Sequence, residues 1–298
     1  MIAIAAAVSA LALAGIGAAW WVSSLTPSAA DAADDYVTAL AAGDIDALAD
    51  LGAFEGDTQT VRDAFAGASG FVTAVELEDH GAGSDDSHGF SAWVELGDER
   101  RELFFVLSRA TGRWQLAADH LGTLRVSTSL GDAVQVGDAF VAAGEVALLP
   151  AEYPVRAAPA ELIDGESVAV VAGDRPVEVH IDATLSPGAA ALAQQQFDDY
   201  LDECTTGGTE IPSRCGIVIP WGVDLAAVTR FSYRVETRPQ LALDPAPQTF
   251  TASGGDVVVT VEGTAHDGSP ASLTYRDANW MLRGGMDFVG DELVLEVW

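Results

Sequence analysis

The sequence predicts an α+β protein behind an N-terminal transmembrane helix. Three observations carry this. Residues 2–22 form an apolar run whose one polar member is Ser9, and no charged side chain precedes Asp31. Between residues 31 and 65 apolar residues recur at helical spacing, and from residue 71 the period falls to two. Beyond Leu121 the chain reads as strand and turn, interrupted by one helical stretch that begins at Ser186-Pro187.

The first run is long enough to cross a bilayer, which takes about 20 residues. Trp20 and Trp21 close it where an interfacial aromatic belt would lie, and Pro27 breaks the polar exit that follows. A cleaved signal peptide is the rival reading, with Ala30-Asp31-Ala32 as the cleavage site. A basic n-region is missing, and Met1 is compatible with an internal start. Neither flank carries Lys or Arg, so orientation rests on the acidic flank (Asp31, Asp34, Asp35) and the two cysteines, which favour a body outside the cytoplasm.

Residues 31–42 read as a helix, with Ala33, Tyr36, Val37, Leu40 and Ala41 on one stripe. Gly43 stops it, and Asp44 caps a second short helix through Leu51. A third covers 57–65, with Val61 and Phe65 four apart. Strands follow over 71–79, 90–96, 103–107 and 113–119. Phe90, Ala92, Val94 and Leu96 share one face of the second; Ser91, Trp93 and Glu95 share the other.

This order of helices, an Ala-Gly-Asp turn and antiparallel strands resembles the NTF2-like α+β cone. It is similar to the extracytoplasmic versions found in single-pass envelope proteins of high-GC Gram-positive bacteria. The matching pieces are Tyr36-Val37-Thr38-Ala39-Leu40-Ala41-Ala42-Gly43-Asp44 and Thr111-Gly112-Arg113-Trp114, within residues 29–121. The resemblance implies a curved sheet and helices around an apolar pocket. Tyr36, Trp93 and Trp114 are the candidate pocket residues, with core packing as their alternative role.

Four units are therefore expected: a transmembrane anchor over 1–26, an NTF2-like domain over 27–121, a small β domain over 122–185, and a β-rich domain with its helix and cysteine loop over 186–298. The last two read as β-sandwich-like modules. Pro150-Ala151-Glu152-Tyr153 resembles the Pro-Gly-x-Tyr turn of small envelope β-sandwiches, with Ala151 in place of Gly. Ser186 and Pro187 start the intervening helix, whose buried face is Ala189, Ala193, Phe197, Leu201 and Cys204. Cys204 and Cys215 bracket a loop containing Gly207, Gly208 and Pro212, and behind a membrane anchor they read as a structural disulfide. A metal pair is disfavoured because the spacing is not Cys-x-x-Cys and no His lies near.

The charge balance excludes several functions. The 298 residues hold 45 Asp and Glu against 14 basic residues, all Arg, for a net charge of −31. Nucleic acid, which is bound through Lys and Arg on phosphate, is not an expected partner. Without Lys there is no Schiff base, no phosphate-loop lysine and no Ser-x-x-Lys nucleophile. Gly-x-Ser-x-Gly and His-Glu-x-x-His are also missing. The densest polar cluster, Asp79-His80 and Asp85-Asp86-Ser87-His88, reads as a solvated hairpin loop rather than a divalent metal site. His120, His180 and His266 read as ordinary strand-end or turn residues. No catalytic residue, cofactor or metal is assigned. The expectation is a single-pass, extracytoplasmic cell-envelope protein with a non-catalytic binding, scaffold or sensor role. Its partner would be an envelope protein, a peptide or a small molecule. The alternative is an NTF2-like hydrolase or isomerase working in the cone.

Overall fold

A computed structural model describes residues 27–54, 59–110, 112–117, 120–173, 175–290 and 292–298. The predicted transmembrane run, the start of the third helix, Thr111 and the end of the strand expected over 113–119 lie outside these residues. Among the described residues no helix is long and apolar enough to cross a membrane. The chain is mainly β-sheet with few helices, a β-rich α+β fold.

Two compact units divide it. Unit 1 holds the chain up to Val126 with 135–155 and 167–179; unit 2 holds 127–134, 156–166 and 180–298.

Unit 1 opens with α1 (Ala29–Ala42), α2 (Ile45–Asp50) and α3 (Gln59–Ala66). Ser28 accepts from the Asp31 backbone N–H while the Asp31 carboxylate accepts from Ser28 N, a reciprocal cap that satisfies two otherwise orphaned donors. Of the expected stripe, Ala33, Tyr36, Val37 and Leu40 are buried, while Ala41, in the last turn, is exposed and Ala29, Ala32 and Ala39 are buried beside the others. At Gly43 φ is +66°, and the Phe71 ring occupies the place of any Cβ, so helix α1 ends where only glycine fits. Asp44 caps α2 through the Asp46 and Ala47 N–H groups.

Four strands then form an antiparallel meander in sequence order: β1 (Thr73–Ser84), β2 (Ser87–Leu96), β3 (Glu99–Ala110) and β4 (Arg113–Leu116). Register pairs Phe90 with Phe105, Ser91 with Phe104 and Trp93 with Glu102. One face therefore gathers Phe90, Ala92, Val94, Leu103, Phe105 and Leu107, all buried, and the alternation read from the sequence holds. The strands run longer than expected. Asp79, His80, Ser87 and His88 lie within paired strands, not in a solvated loop; the turn is confined to Asp85 and Asp86. Glycine and aspartate suggest a turn from 79 to 88. The long β1–β2 ladder overrides that local preference by tolerating irregularities on either side of Gly81.

Residues 122–185 supply β5 (Gly122–Thr128), β6 (Ala133–Val136), β7 (Ala139–Ala142), β8 (Gly144–Leu148), β9 (Ala151–Ala158), β10 (Ile163–Asp164), β11 (Glu166–Val171), β12 (Val177–Ile181) and β13 (Thr184–Leu185). They pair as β11-β9-β6-β7, as β12-β5-β8 and as β10-β13. In unit 1 the fully buried Tyr153 donates its hydroxyl to the Leu149 carbonyl at 2.7 Å; Ala151 to Tyr153 open strand β9, so the turn expected over 150–153 is confined to Pro150.

Unit 2 is built on α4 (Pro187–Cys204) and a C-terminal sheet. Helix α5 (Trp221–Asp224) leads into β14 (Leu225–Thr237), β15 (Gln240–Asp244), β16 (Thr249–Ala265), β17 (Pro270–Val289) and β18 (Glu292–Val297). The order is β14-β16-β17-β18, with β15 also on β16. Ser186 caps α4 by accepting from Ala189 N, and Ala189, Ala193, Phe197, Leu201 and Cys204 form its buried face, as predicted. The strand expected over 272–276 is one piece of a strand twenty residues long. Asp277 and Asn279 interrupt the apolar pattern, yet Asp277 stays in register opposite Val257, and its carboxylate accepts from Val218 N at 3.2 Å. Cys204 and Cys215 are disulfide-bonded, with Cα atoms 5.6 Å apart.

Candidate functional site

The best-formed concavity of unit 1 has a volume of about 730 Å³. Its apolar wall is Tyr36 from α1, Leu103 and Phe105 from β3, and Leu121 and Pro150 from the following turns; Glu102 and Phe104 stand on its rim. Tyr36 reaches it because the α1 stripe turns toward the sheet, where its ring meets Phe105 edge-on at 4.8 Å. Burial raises the Tyr36 phenol well above its ordinary pKa, so it stays a neutral hydroxyl.

His120 is part of the same wall and is almost wholly buried. Its Nδ1 lies 2.6 Å from the Ala117 carbonyl oxygen and its Nε2 3.0 Å from the Ala53 carbonyl oxygen. Both partners only accept and a neutral imidazole has a single N–H, so the ring donates to one of the two carbonyl oxygens and its other nitrogen lies against the second without a hydrogen bond. The sequence offered no sign of this residue beyond its position after a strand.

Of the three aromatic residues expected in the pocket, Tyr36 alone lines the cavity. Trp93 is out of phase with Phe90, Ala92 and Val94, so strand alternation places it on the other face, under the Arg100 guanidinium at 5.3 Å. Trp114 sits on the outermost strand, β4, with Arg109 over its ring at 5.7 Å and the His88 ring edge-on at 6.4 Å. It is joined to Tyr36 only through a line of rings: His88 on Phe90 at 4.7 Å, Phe90 on Phe105 at 5.8 Å, then Phe105 on Tyr36. These rings fill the space between α1 and the sheet.

The polar cluster on β1 and β2 resolves into two separate pairs. His88 Nε2 donates to Asp79 Oδ1 at 2.6 Å, and His80 Nε2 meets Ser91 Oγ at 2.8 Å. The His88 bond, followed by the Gly81 N–H bond to the same oxygen, holds the Asp79 carboxyl below its ordinary pKa. Register sets Asp79 opposite Phe90 and Ser91 opposite Phe104, so the two pairs belong to opposite faces of the hairpin. Among the described residues no group of three or more His, Cys, Asp or Glu is placed to hold a metal ion. The Asp79–His88 pair is not part of the cavity wall.

In unit 2 the disulfide belongs to an apolar core with Phe197, Leu201, Phe231 and Trp280. The bond closes a loop at the end of α4 and has the structural place assigned to it.

No family model, no curated protein and no solved structure matches this chain.

Proposed function

We propose that this chain is a membrane-anchored, extracytoplasmic cell-envelope protein with a non-catalytic binding role, and that unit 1 holds a small, apolar-bodied molecule. The observation that carries the binding role is the cavity of about 730 Å³ walled by Tyr36, Leu103, Phe105, Leu121 and Pro150. The lining is as polar as it is apolar, with Glu102 and His120 beside the aromatic and aliphatic carbon, which suits a ligand with an apolar body and a polar part. The uncharged run over 2–22 supports the anchor. The disulfide supports an oxidising compartment. The net charge of −31 argues against nucleic acid. The resemblance to NTF2-like envelope domains points the same way.

The enzymatic alternative needs an ionisable group free to act inside the cavity. Tyr36 and His120 are the buried ionisable groups there; burial keeps the Tyr36 phenol neutral, and each His120 ring nitrogen lies against a backbone carbonyl oxygen rather than a catalytic partner. Binding is therefore the better reading.

Two experiments test it. Protease shaving of intact cells should degrade the body and leave the anchor; a protected body ends the membrane assignment. Native mass spectrometry of protein taken from its own membranes should find a bound small molecule. Ala147, which is exposed on the cavity margin, offers a filling variant, Ala147→Trp, that should lose that mass. The same mass retained in the filled variant rejects the cavity as the site.

A further inference from the structure

Strand β18 ends the C-terminal sheet, and its outer edge is unpaired among the described residues. The hydrogen-bond phase identifies which backbone groups that edge presents. Trp298 N donates to the Arg283 carbonyl, and Met286 N turns the other way, to Gln248 O. The pairs Gly284–Val297, Met286–Leu295 and Phe288–Leu293 are consequently the non-bonded ones of the β17–β18 ladder. The N–H and C=O groups of Leu293, Leu295 and Val297 therefore point away from β17, as a row ready for another strand.

A groove of about 530 Å³ runs beside that row, between β18 and α4. The side chains of Leu293, Leu295 and Val297 lie on its side, with Phe197 and Tyr200 from the helix and Arg214 at its margin. Glu292, Val294 and Glu296 also border the groove along the strand; they are exposed, and alternation turns their side chains to the other face. Trp298, Val289 and Met281 are also exposed large apolar groups of this sheet.

We propose that the β18 edge binds an extended segment of a partner protein as an added strand, and that this segment carries two basic residues four apart with apolar residues between. Backbone pairing to Leu293, Leu295 and Val297 supplies the affinity, and side-chain alternation supplies the specificity. In the phase facing the groove the added strand meets leucine, valine and aromatic carbon, and Arg214 disfavours a cation there. In the other phase it meets Glu292 and Glu296, which draw Lys or Arg directly opposite. A second copy of this chain is the poorer occupant. Two β18 strands centred antiparallel on Val294 would set Glu292 against Glu296 twice, and like charges directly opposite repel; centred on Leu295 they would set Glu292 against Trp298 and Glu296 against Val294, which gives neither carboxylate a cation. The site lies wholly in unit 2 and does not depend on the cavity of unit 1.

The test selects from a library of random heptapeptides on the full-length protein in detergent. Enriched peptides should alternate, with Lys or Arg at positions i and i+4 and apolar residues at i+1 and i+3. N-methylation of a selected peptide should weaken binding at least tenfold at every second amide and little at those between. The variant Glu292→Lys/Glu296→Lys should invert the preference, so that peptides with Glu or Asp at i and i+4 are now enriched. Ala147→Trp should change none of this, which separates the proposal from the ligand reading of unit 1. Enriched peptides without alternation, an N-methyl scan without a two-residue period, or no enrichment at all would overturn the proposal. Self-association that competes with peptide would overturn it too, in favour of a second copy.

Discussion

Trp280 Nε1 donates to the Cys215 carbonyl oxygen at 2.7 Å, and both residues are buried. The indole comes from the middle of β17, and Cys215 closes the loop after α4. One side of the Cys215 backbone thus caps a buried indole while its side chain ties back to the helix. Cys215 is held from two directions, and a backbone pair between Gly208 and Phe231 ties the loop at a second point. This explains how a segment rich in glycine and polar residues seals the apolar core of unit 2 without ordered secondary structure of its own.

Cys204→Ala/Cys215→Ala should lower the stability of unit 2 by about 2–3 kcal/mol, from loop-closure entropy restored to the unfolded chain. Urea unfolding followed by Trp emission checks this. Thiol titration of unfolded, unreduced protein should find no free thiol, because the two cysteines are bonded to each other.

Trp280→Phe keeps an aromatic ring in the core but removes the N–H, leaving the Cys215 carbonyl oxygen without its indole donor. An unsatisfied buried acceptor costs about 1–3 kcal/mol. Combined with the cysteine double variant, the two losses should sum to more or less than their separate values by a measurable amount. Residues that share one partner couple in this way. Strict additivity in urea titrations would show that the disulfide and the indole bond hold the loop independently of each other.

Much of this architecture was legible in the residues. The α1 stripe through Leu40, the Asp44 cap, the Gly43 stop, the alternation of β2 and the Ser186 cap of α4 each follow from short-range chemistry, and each is observed. Cys204 falls on the last residue of its helix, as the spacing implied. Three features were not legible. The length of β17 was hidden because Asp277 and Asn279 resemble turn residues until their cross-strand partners are known. Alternation set Trp93 on the face opposite Phe90, but which of the two faces borders the cavity depends on where α1 packs, so its place beneath Arg100 and outside the wall was not legible. His120 gains its role from carbonyl oxygens at positions 53 and 117, the first of them 67 residues away, and no local pattern encodes that.

Asp79 gives a pH test with a definite sign. Its pKa is depressed below the ordinary 3.8 by the His88 hydrogen bond and then by the Gly81 N–H. A carboxylate whose folded pKa is lowered adds stability that is present above the unfolded value and disappears as pH falls through the folded one. The stability difference between wild type and Asp79→Asn should therefore hold steady above pH ~4 and shrink below it. In His88→Phe, carboxyl NMR should find the Asp79 titration moved upward but still depressed, because the Gly81 bond remains. An unmoved titration would show that the 2.6 Å contact does not persist in solution.

His120 decides between a wall that binds and a wall that reacts. Its ring lies between the carbonyl oxygens of Ala53, in the loop after α2, and Ala117, after β4, and donates to one of them, so it acts as a strut behind the cavity. A strut and a general base respond differently to substitution. Removing a strut lowers stability and loosens the cavity; removing a base leaves stability nearly intact and abolishes turnover. His120→Leu fills similar volume with no donor, leaves the carbonyl oxygen that accepted the ring N–H unpaired, and should cost about 1–3 kcal/mol, the scale for one buried unsatisfied group. Urea unfolding of unit 1 reads that loss directly. His120→Gln can still donate from its amide to one of the two carbonyl oxygens and should recover part of the stability. If His120→Leu instead proves as stable as wild type, the ring is not a strut, its nitrogens are available to the cavity, and the enzymatic reading regains its strongest argument.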